Sequence, residues 1–245
     1  MNASTLGSDL RLPLYQRLRD EMLAKISSGE WRPGEPIPTE AELTKTYSLA
    51  IGTVRKAVDT LVADGLLTRS QGRGTYVRRP DFNSSFFRFF RQVNSSGEHQ
   101  VPQSRIDSLG IEQAPQAVID ALQLGATDAV IRMQRIRMAN ERTIFSEDIW
   151  LPASRFAKLL EVDPKDFGNL LYPFYEAQCG QLVASAKETL TVEPADLQTS
   201  AALDVESGTP VVVIERIALS YDSTPLEYRL SKGRADTFRY QIEIS

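Results

Sequence analysis

The residues of this chain with the most pronounced chemistry are arginines, and their spacing suits the binding of anions. Gln71, Gly72, Arg73, Gly74 and Thr75 form a run in which one cation stands between two glycines. A turn of that composition takes positive φ at little cost, and Gln71 and Thr75 flank Arg73 with polar groups. Thr53 and Arg55 lie early in a helical segment. There Thr53 can reach a phosphate or a base edge, and Arg55 can make a bidentate contact to guanine. Gly52 lacks a side chain, which lets the backbone come close to a duplex. The amides at Thr39 and Glu40, which open another helical segment, are a natural phosphate seat. Farther along, strand alternation over 131–137 puts Ile131, Met133, Arg135 and Arg137 on one face. Two guanidinium groups extending an apolar face suit a carboxylate or phosphate ligand. Glu147, on the strand expected to pair with it, can hydrogen-bond hydroxyls or an amine. The same residues also fit a solvated sheet face on which Arg135 and Glu147 are simply a cross-strand pair.

Catalysis is poorly served. The chain has one histidine, His99, and one cysteine, Cys179, too few to build a zinc site by themselves. No nucleophile–base pair, metal cluster or phosphate loop is visible, so neither an enzyme nor a cofactor is expected. A single cysteine fits a reducing cytoplasm. The N-terminal residues show neither the basic segment nor the apolar core of a signal peptide. No apolar run approaches the roughly 20 residues that span a bilayer. The net charge of −4 divides unevenly: through Pro80 there are twelve basic residues against nine acidic ones, and beyond it sixteen against twenty-three. One part is therefore suited to phosphate and the other is not.

The elements that must position these groups follow from periodicity. Leu14, Leu18, Met22 and Ile26 recur at a spacing of four and mark an amphipathic helix that ends at Ser28-Gly29. After a Pro/Gly-rich connection, Thr39 and Glu42 form a capping-box pattern opening a second helix, with Ala41, Leu43 and Tyr47 as its apolar positions. A third helix spans 50–64 and closes at Gly65. Strands at 66–69 and 75–78 complete a hairpin. Three helices and a hairpin within about 65 residues are a winged helix-turn-helix. Residues 81–103 read as a polar linker carrying Phe86, Phe87, Phe89 and Phe90, too apolar together for a free tether. Beyond it, strands are expected at 105–111, 130–138, 143–150, 182–192, 211–221, 226–231 and 240–244. Helices are expected at 115–122, 152–160, 170–178 and 194–203. Strands joined mostly through hairpins, with helices laid across them, imply an α+β domain on a mainly antiparallel sheet. Gln134-Arg135-Ile136 before a turn at Asn140-Glu141 echoes Glu215-Arg216-Ile217 before a turn at Asp222-Ser223.

The N-terminal motifs resemble the GntR family of repressors. They are Pro13-Leu14-Tyr15, Gly29-x-Trp31-x-Pro33-Gly34, Ile37-Pro38-Thr39-Glu40-x-Glu42-Leu43, Thr53-Val54-Arg55-Lys56-Ala57, Asp64-Gly65-Leu66-Leu67 and Gln71-Gly72-Arg73-Gly74-Thr75-Tyr76-Val77. Residues from about 105 to 244 look more loosely like the UTRA effector domain of the HutC branch. The resemblance implies a DNA-binding domain at 1–80, a linker at 81–103 and an effector-binding and dimerisation domain at 104–245. It implies a homodimer on double-stranded operator DNA in the cytoplasm, associated with the nucleoid and not the membrane, and released by a small-molecule effector. Arg73 resembles a wing residue that enters the minor groove. Phe89, Arg135, Arg137, Glu147, Glu188, Glu227, Tyr228 and Arg234 resemble effector-pocket positions. Where the family often carries arginine, this chain has Ala41 and Ile51, so the wing is expected to supply an unusually large share of the affinity. An activator, an effector-independent DNA-binding protein and, because the UTRA fold is similar to that of chorismate lyase, an enzyme are the alternatives.

Overall fold

The computed structural model describes Leu6, residues 11–79, 102–139, 141–236 and Phe238. The chain divides into two compact units: Met1–Pro80 with Ser220–Thr224, and Asp81–Leu219 with Pro225–Ser245.

The first unit is built on three helices, α1 (Leu14–Ser27), α2 (Glu40–Tyr47) and α3 (Ile51–Ala63), followed by the hairpin β1 (Leu67–Ser70) and β2 (Gly74–Val77). Leu18, Met22 and Ile26 of the predicted stripe are buried, whereas Leu14, in the first turn of α1, stays 47% exposed. Val54, Ala57, Val58 and Leu61, the inward face of α3, are buried as well, as are Leu43, Tyr47, Leu67 and Val77, and α3 contacts α1, α2 and β1. α2 begins with the expected capping box: the Thr39 hydroxyl accepts from the Glu42 amide while the Glu42 carboxylate accepts from the Thr39 amide. The Pro/Gly-rich connection is more than a spacer. The Ile37 amide donates to the Thr75 carbonyl and the Val77 amide to that of Glu35, at 2.9 and 3.0 Å, so the connection borders β2.

The second unit is an antiparallel sheet of six strands with the order β3-β4-β5-β8-β7-β6. In chain order it comprises β3 (Gln103–Glu112), α4 (Gln116–Leu122), β4 (Val130–Ala139), β5 (Arg142–Pro152), α5 (Ala153–Phe156), 3-10 turns at Ala157–Glu161 and Pro164–Asp166, α6 (Leu171–Cys179), β6 (Ser185–Pro194), α7 (Leu197–Leu203), β7 (Pro210–Leu219) and β8 (Pro225–Arg234). The helix expected at 152–160 is thus a single α turn running into a 3-10 turn. The helix expected from residue 194 starts only after Asp196, whose carboxylate accepts from the Thr199 amide as an N-cap. The expected strand at 240–244, the aromatic linker residues and Phe89 lie outside the described residues.

The echo between the two hairpins is structural. The β4–β5 register shifts between Arg137 and Met138, and the β7–β8 register shifts between Ala218 and Leu219, 81 positions later in the chain. Glu141 and Ser223 both take positive φ, at 63° and 65°. The two three-stranded halves meet where β5 pairs with β8. One sheet face packs Ile131, Met133, Ile149 and Leu151 against Phe156, Leu159, Leu171 and Tyr175. The other packs Val130, Trp150 and Tyr228 against Val118, Ile119 and Leu122 of α4, and Val211 and Val213 against Leu203 of α7. Gly233 allows the close approach of Phe145, since a Cβ there would stand 2.5 Å from the phenyl ring.

Candidate nucleic-acid interface and effector site

The N-terminal half of α3 turns Ile51, Gly52, Arg55 and Lys56 to solvent, with Thr53 half-buried. The buried positions Val54, Ala57 and Val58 hold the opposite side of the helix in the core, so this face is free to enter a groove. Arg55 is not free-standing. Its Nε donates to Glu40 Oε2 at 3.1 Å, and Glu40 Oε1 accepts from Arg69 at 2.9 Å. Arg69 is held in turn by Asp59 at 2.6 Å. Glu40 therefore uses its carboxylate to place Arg55. At the start of α2 the amides of Thr39 and Glu42 are consumed by the capping box, which also holds the Glu42 carboxyl below the usual range through bonds from Thr39. The Glu40 and Ala41 amides have no intrahelical partner.

In the wing, Gly72 and Gly74 take φ of 71° and 118°, conformations that L side chains adopt only with strain. The Arg73 amide donates to the Ser70 carbonyl and its carbonyl accepts from the Tyr76 hydroxyl, at 2.9 and 3.1 Å. The backbone of the tip is thus fixed from both sides, and Arg73 projects from it, exposed, between Gln71 and Thr75.

In the sheet domain, β4, β5, β8 and β7 carry a buried network of charge. Arg135 and Arg137 are each only 2% exposed, which removes the solvated-face reading. Arg135 Nε donates to Glu147 Oε2 at 2.5 Å, the cross-strand pair that the alternation suggests. Glu147 Oε1 accepts from the Ser231 hydroxyl at 3.1 Å and faces Arg229 Nη1 at 3.6 Å. Arg229 Nη2 donates to Glu227 at 2.7 Å. Glu227 also accepts from the hydroxyls of Tyr175 and Tyr172, at 2.8 and 3.2 Å. Arg216 closes the series, donating to the Tyr172 hydroxyl at 3.3 Å and pairing with Glu188. Arg137 stands beyond the carboxylates and donates through Nη1 to the Asn169 carbonyl at 2.9 Å.

Among the described residues, the guanidinium groups of Arg135, Arg137, Arg216 and Arg229 and the carboxylates of Glu147, Glu188 and Glu227 thus lie close together, largely shielded from water. Burial and the neighbouring Arg135 push Arg137 down to about 9. Burial would raise Glu147, but Arg135, Arg229 and Arg137 together hold it at about 2. Burial and the facing Glu227 push the Tyr172 and Tyr175 hydroxyls up, so both remain donors. Arg135 Nη1 and Arg229 Nε are buried with no hydrogen-bond partner among the described residues. Unmet donors of this kind cost on the order of 1–3 kcal/mol each, more for charged groups.

Not every expected pocket residue joins this network. Tyr228 faces the opposite side of the sheet, packing beside Trp150, and its hydroxyl donates to Glu215 at 3.1 Å. Arg234 shares that opposite parity and is held by Asp236 at 2.7 Å and by the Asp204 carbonyl. Neither is brought to the cluster, because adjacent or odd-spaced positions on β8 alternate faces. Glu188 reaches it only through Arg216. Sequence reasoning missed Arg216, Arg229, Ser231, Tyr172 and Tyr175. The alternation of Glu227, Arg229 and Ser231 was available as a signal, and so was the equivalence of Arg216 with Arg135 in the hairpin echo.

A helix-turn-helix unit with an arginine-tipped wing, followed by a sheet domain with a buried cationic cluster, defines a DNA-binding regulator that carries a ligand-sensing module. The UTRA domain family matches residues 97–239, and the bacterial regulatory proteins of the gntR family match residues 14–77. The chain belongs to the GntR family of bacterial regulatory proteins and carries a UTRA domain; these are regulators of transcription and not enzymes. It is 26% identical over 232 residues to the transcriptional repressor NagR of Bacillus subtilis, covering 94% of this chain and 93% of that one. It is 25% identical over 234 residues to MngR of Escherichia coli K12, repressor of a mannosyl-D-glycerate transport and metabolism system, covering 94% and 95%. In fold it is similar to PhnF from Mycobacterium smegmatis, with a TM-score of 0.55 at 22% identity, covering 95% of this chain and 99% of that one. Among the described residues no helix is long and apolar enough to cross a membrane.

Proposed function

We propose that this protein is a cytoplasmic homodimeric repressor of the HutC branch, which leaves its operator when a small anionic metabolite binds its UTRA domain. The DNA contacts come from Gly52, Thr53 and Arg55 on α3, from the first turn of α2 at Thr39 and Glu40, and from the wing residues Gln71–Thr75. The effector binds at Arg135 and Arg137, with Glu147, Glu227 and Arg229 orienting its polar groups. The observation that carries this reading is a pair of buried donors in the cluster, Arg135 Nη1 and Arg229 Nε, that lack partners among the described residues. An anion supplies the missing acceptors with charge-assisted hydrogen bonds. The named relatives support repression, since NagR and MngR are both repressors. A ligand that prefers one arrangement of the protein lowers operator affinity by that difference in binding energy.

The test is a thermal-shift screen of the full-length protein against sugar phosphates and small carboxylic acids. A ligand at 100 times its dissociation constant adds about 2.7 kcal/mol and raises the melting temperature. The shift is expected to vanish in Arg135→Ala. A panel whose only hits are neutral compounds contradicts the reading.

A further inference from the structure

The start of α3 has nothing but its backbone with which to hydrogen-bond. Ala50, Ile51 and Gly52 follow one another there, all exposed and all without a polar side-chain atom. Ile51 precedes Val54 by three residues and Val58 by seven, the spacing of the buried stripe of this helix, yet it is 46% exposed. Gly52 is equally out of keeping with the interior. It lies within the helix without positive φ, and a Cβ built on it would meet nothing within 4 Å among the described residues. Neither the backbone nor a neighbour inside the protein requires glycine, which is less favourable in a helix than alanine. A bare backbone beside an uncovered branched side chain suits the close approach of a surface from outside. The next side chains able to hydrogen-bond are Thr53, half-buried, and Arg55, whose Nε is engaged by Glu40.

We infer that Ile51 reads a thymine by packing on its 5-methyl group in the major groove, and that Gly52 lets the helix come close enough for this contact. The inference rests on the proposal above that α3 contacts DNA, and adds what its tip recognises there. The occupant follows from chemistry. In the major groove the bases present hydrogen-bonding groups, and their one apolar group is the C5-methyl of thymine. A tip of alanine, isoleucine and glycine offers no side-chain partner, so an amino or carbonyl group facing Ile51 would lose its water without replacement. A thymine methyl has no such loss and gains by leaving water. Cations border the patch: Arg55 lies one turn along from Ile51 and Lys56 one turn along from Gly52, both exposed. Phosphates suit that rim, which selects DNA over an apolar protein surface as the occupant. The contact itself carries no charge. It therefore sets preference among sequences and leaves the attraction of phosphate to the cations around it.

The test uses the full-length chain and a duplex that it selects from a random pool. Each thymine of that duplex is replaced in turn by uracil, which removes the methyl and keeps every hydrogen-bonding group. Anisotropy titrations should find a thymine whose replacement weakens wild-type binding about fourfold, as expected for one buried methyl group. Ile51→Ala should bind the thymine and uracil duplexes equally, with the salt dependence of wild type, and Ile51→Arg should select guanine at that position. Unchanged melting curves show that each variant is folded. A wild type indifferent to every uracil, or a loss that is the same in Ile51→Ala, overturns the thymine contact. Gly52→Gln separates that outcome from failure of the reading beneath it. Nothing inside the protein meets a side chain there, so filling the position should lower duplex affinity about tenfold without lowering the melting temperature. Full affinity in Gly52→Gln means that α3 does not enter the groove, and overturns both. Lost affinity in Gly52→Gln together with indifference to uracil overturns the thymine contact alone.

Discussion

Glu147 shows how one side chain can report the state of the whole cluster. Its carboxyl is held at about 2 by three guanidinium groups, against an ordinary value of 4.5. A carboxylate with a depressed folded-state value contributes stability that is fully present above about pH 4.5 and is lost as the pH falls toward 2. The shift corresponds to roughly 3 kcal/mol over that window. Glu147→Gln should therefore flatten the acid limb of a stability–pH curve measured by urea unfolding. It should also lower stability at neutral pH, because Arg135 and Arg229 lose their shared partner. Acid limbs of equal slope in wild type and variant would contradict the network. Arg229 makes the complementary case. Its Nε is an unmet donor in the same cluster, so Arg229→Ala is expected to weaken binding of the anionic effector in calorimetry by at least tenfold. Tyr228→Phe, on the other sheet face, should leave that binding unchanged. Equal losses in both variants would put the ligand elsewhere.

At the scale of elements, the wing carries the clearest demand. Ala41 and Ile51 leave the starts of α2 and α3 without cations, and Glu40 already engages Arg55. Arg73 has no such competitor among the described carboxylates, and the two glycines beside it let its backbone come close to DNA. Arg73→Ala is expected to weaken operator binding by tenfold or more in an anisotropy titration and to reduce its salt dependence. A loss within about twofold would mean that α3 supplies the affinity. The helices and the hairpin were legible because each has its own local signals: a stripe at spacing four, the Thr39–Glu42 box, Gly65 as a stop. The alternation on β4 likewise exposed Arg135 and Arg137. What was not legible is pairing over distance. Nothing local says that β5 lies against β8, so the juxtaposition of Glu147 with Arg229 and Ser231 had no signature. Tyr172 and Tyr175 sit on a helix whose apolar spacing reads as core, and only the sheet beneath gives their hydroxyls a role. Tyr228 and Arg234, which the family likeness groups with the pocket, lie on the other sheet face by the two-residue period of the strand that holds them.

In the whole molecule, the two halves of one chain answer to opposite needs. The first unit offers cations at its surface, at Arg55, Lys56 and Arg73, where phosphate can reach them. The second hides Arg135, Arg137 and Arg229, with the half-buried Arg216, beside the carboxylates of Glu147, Glu188 and Glu227, where the proposed anionic ligand would meet buried donors. On the proposed function, ligand binding there biases the protein between its DNA-bound and released forms by no more than the ligand's difference in affinity for the two. The most direct measurement is a release experiment on a DNA duplex selected by the full-length protein from a random pool. An anionic compound that raises the melting temperature is titrated against the labelled complex of wild type and of Arg135→Ala. Release of the duplex from wild type, with at least a tenfold higher ligand concentration needed for Arg135→Ala, is the predicted result. Release that is equal in the two proteins, or a duplex that stays bound while the ligand is bound, would contradict the claim that this cluster controls the operator.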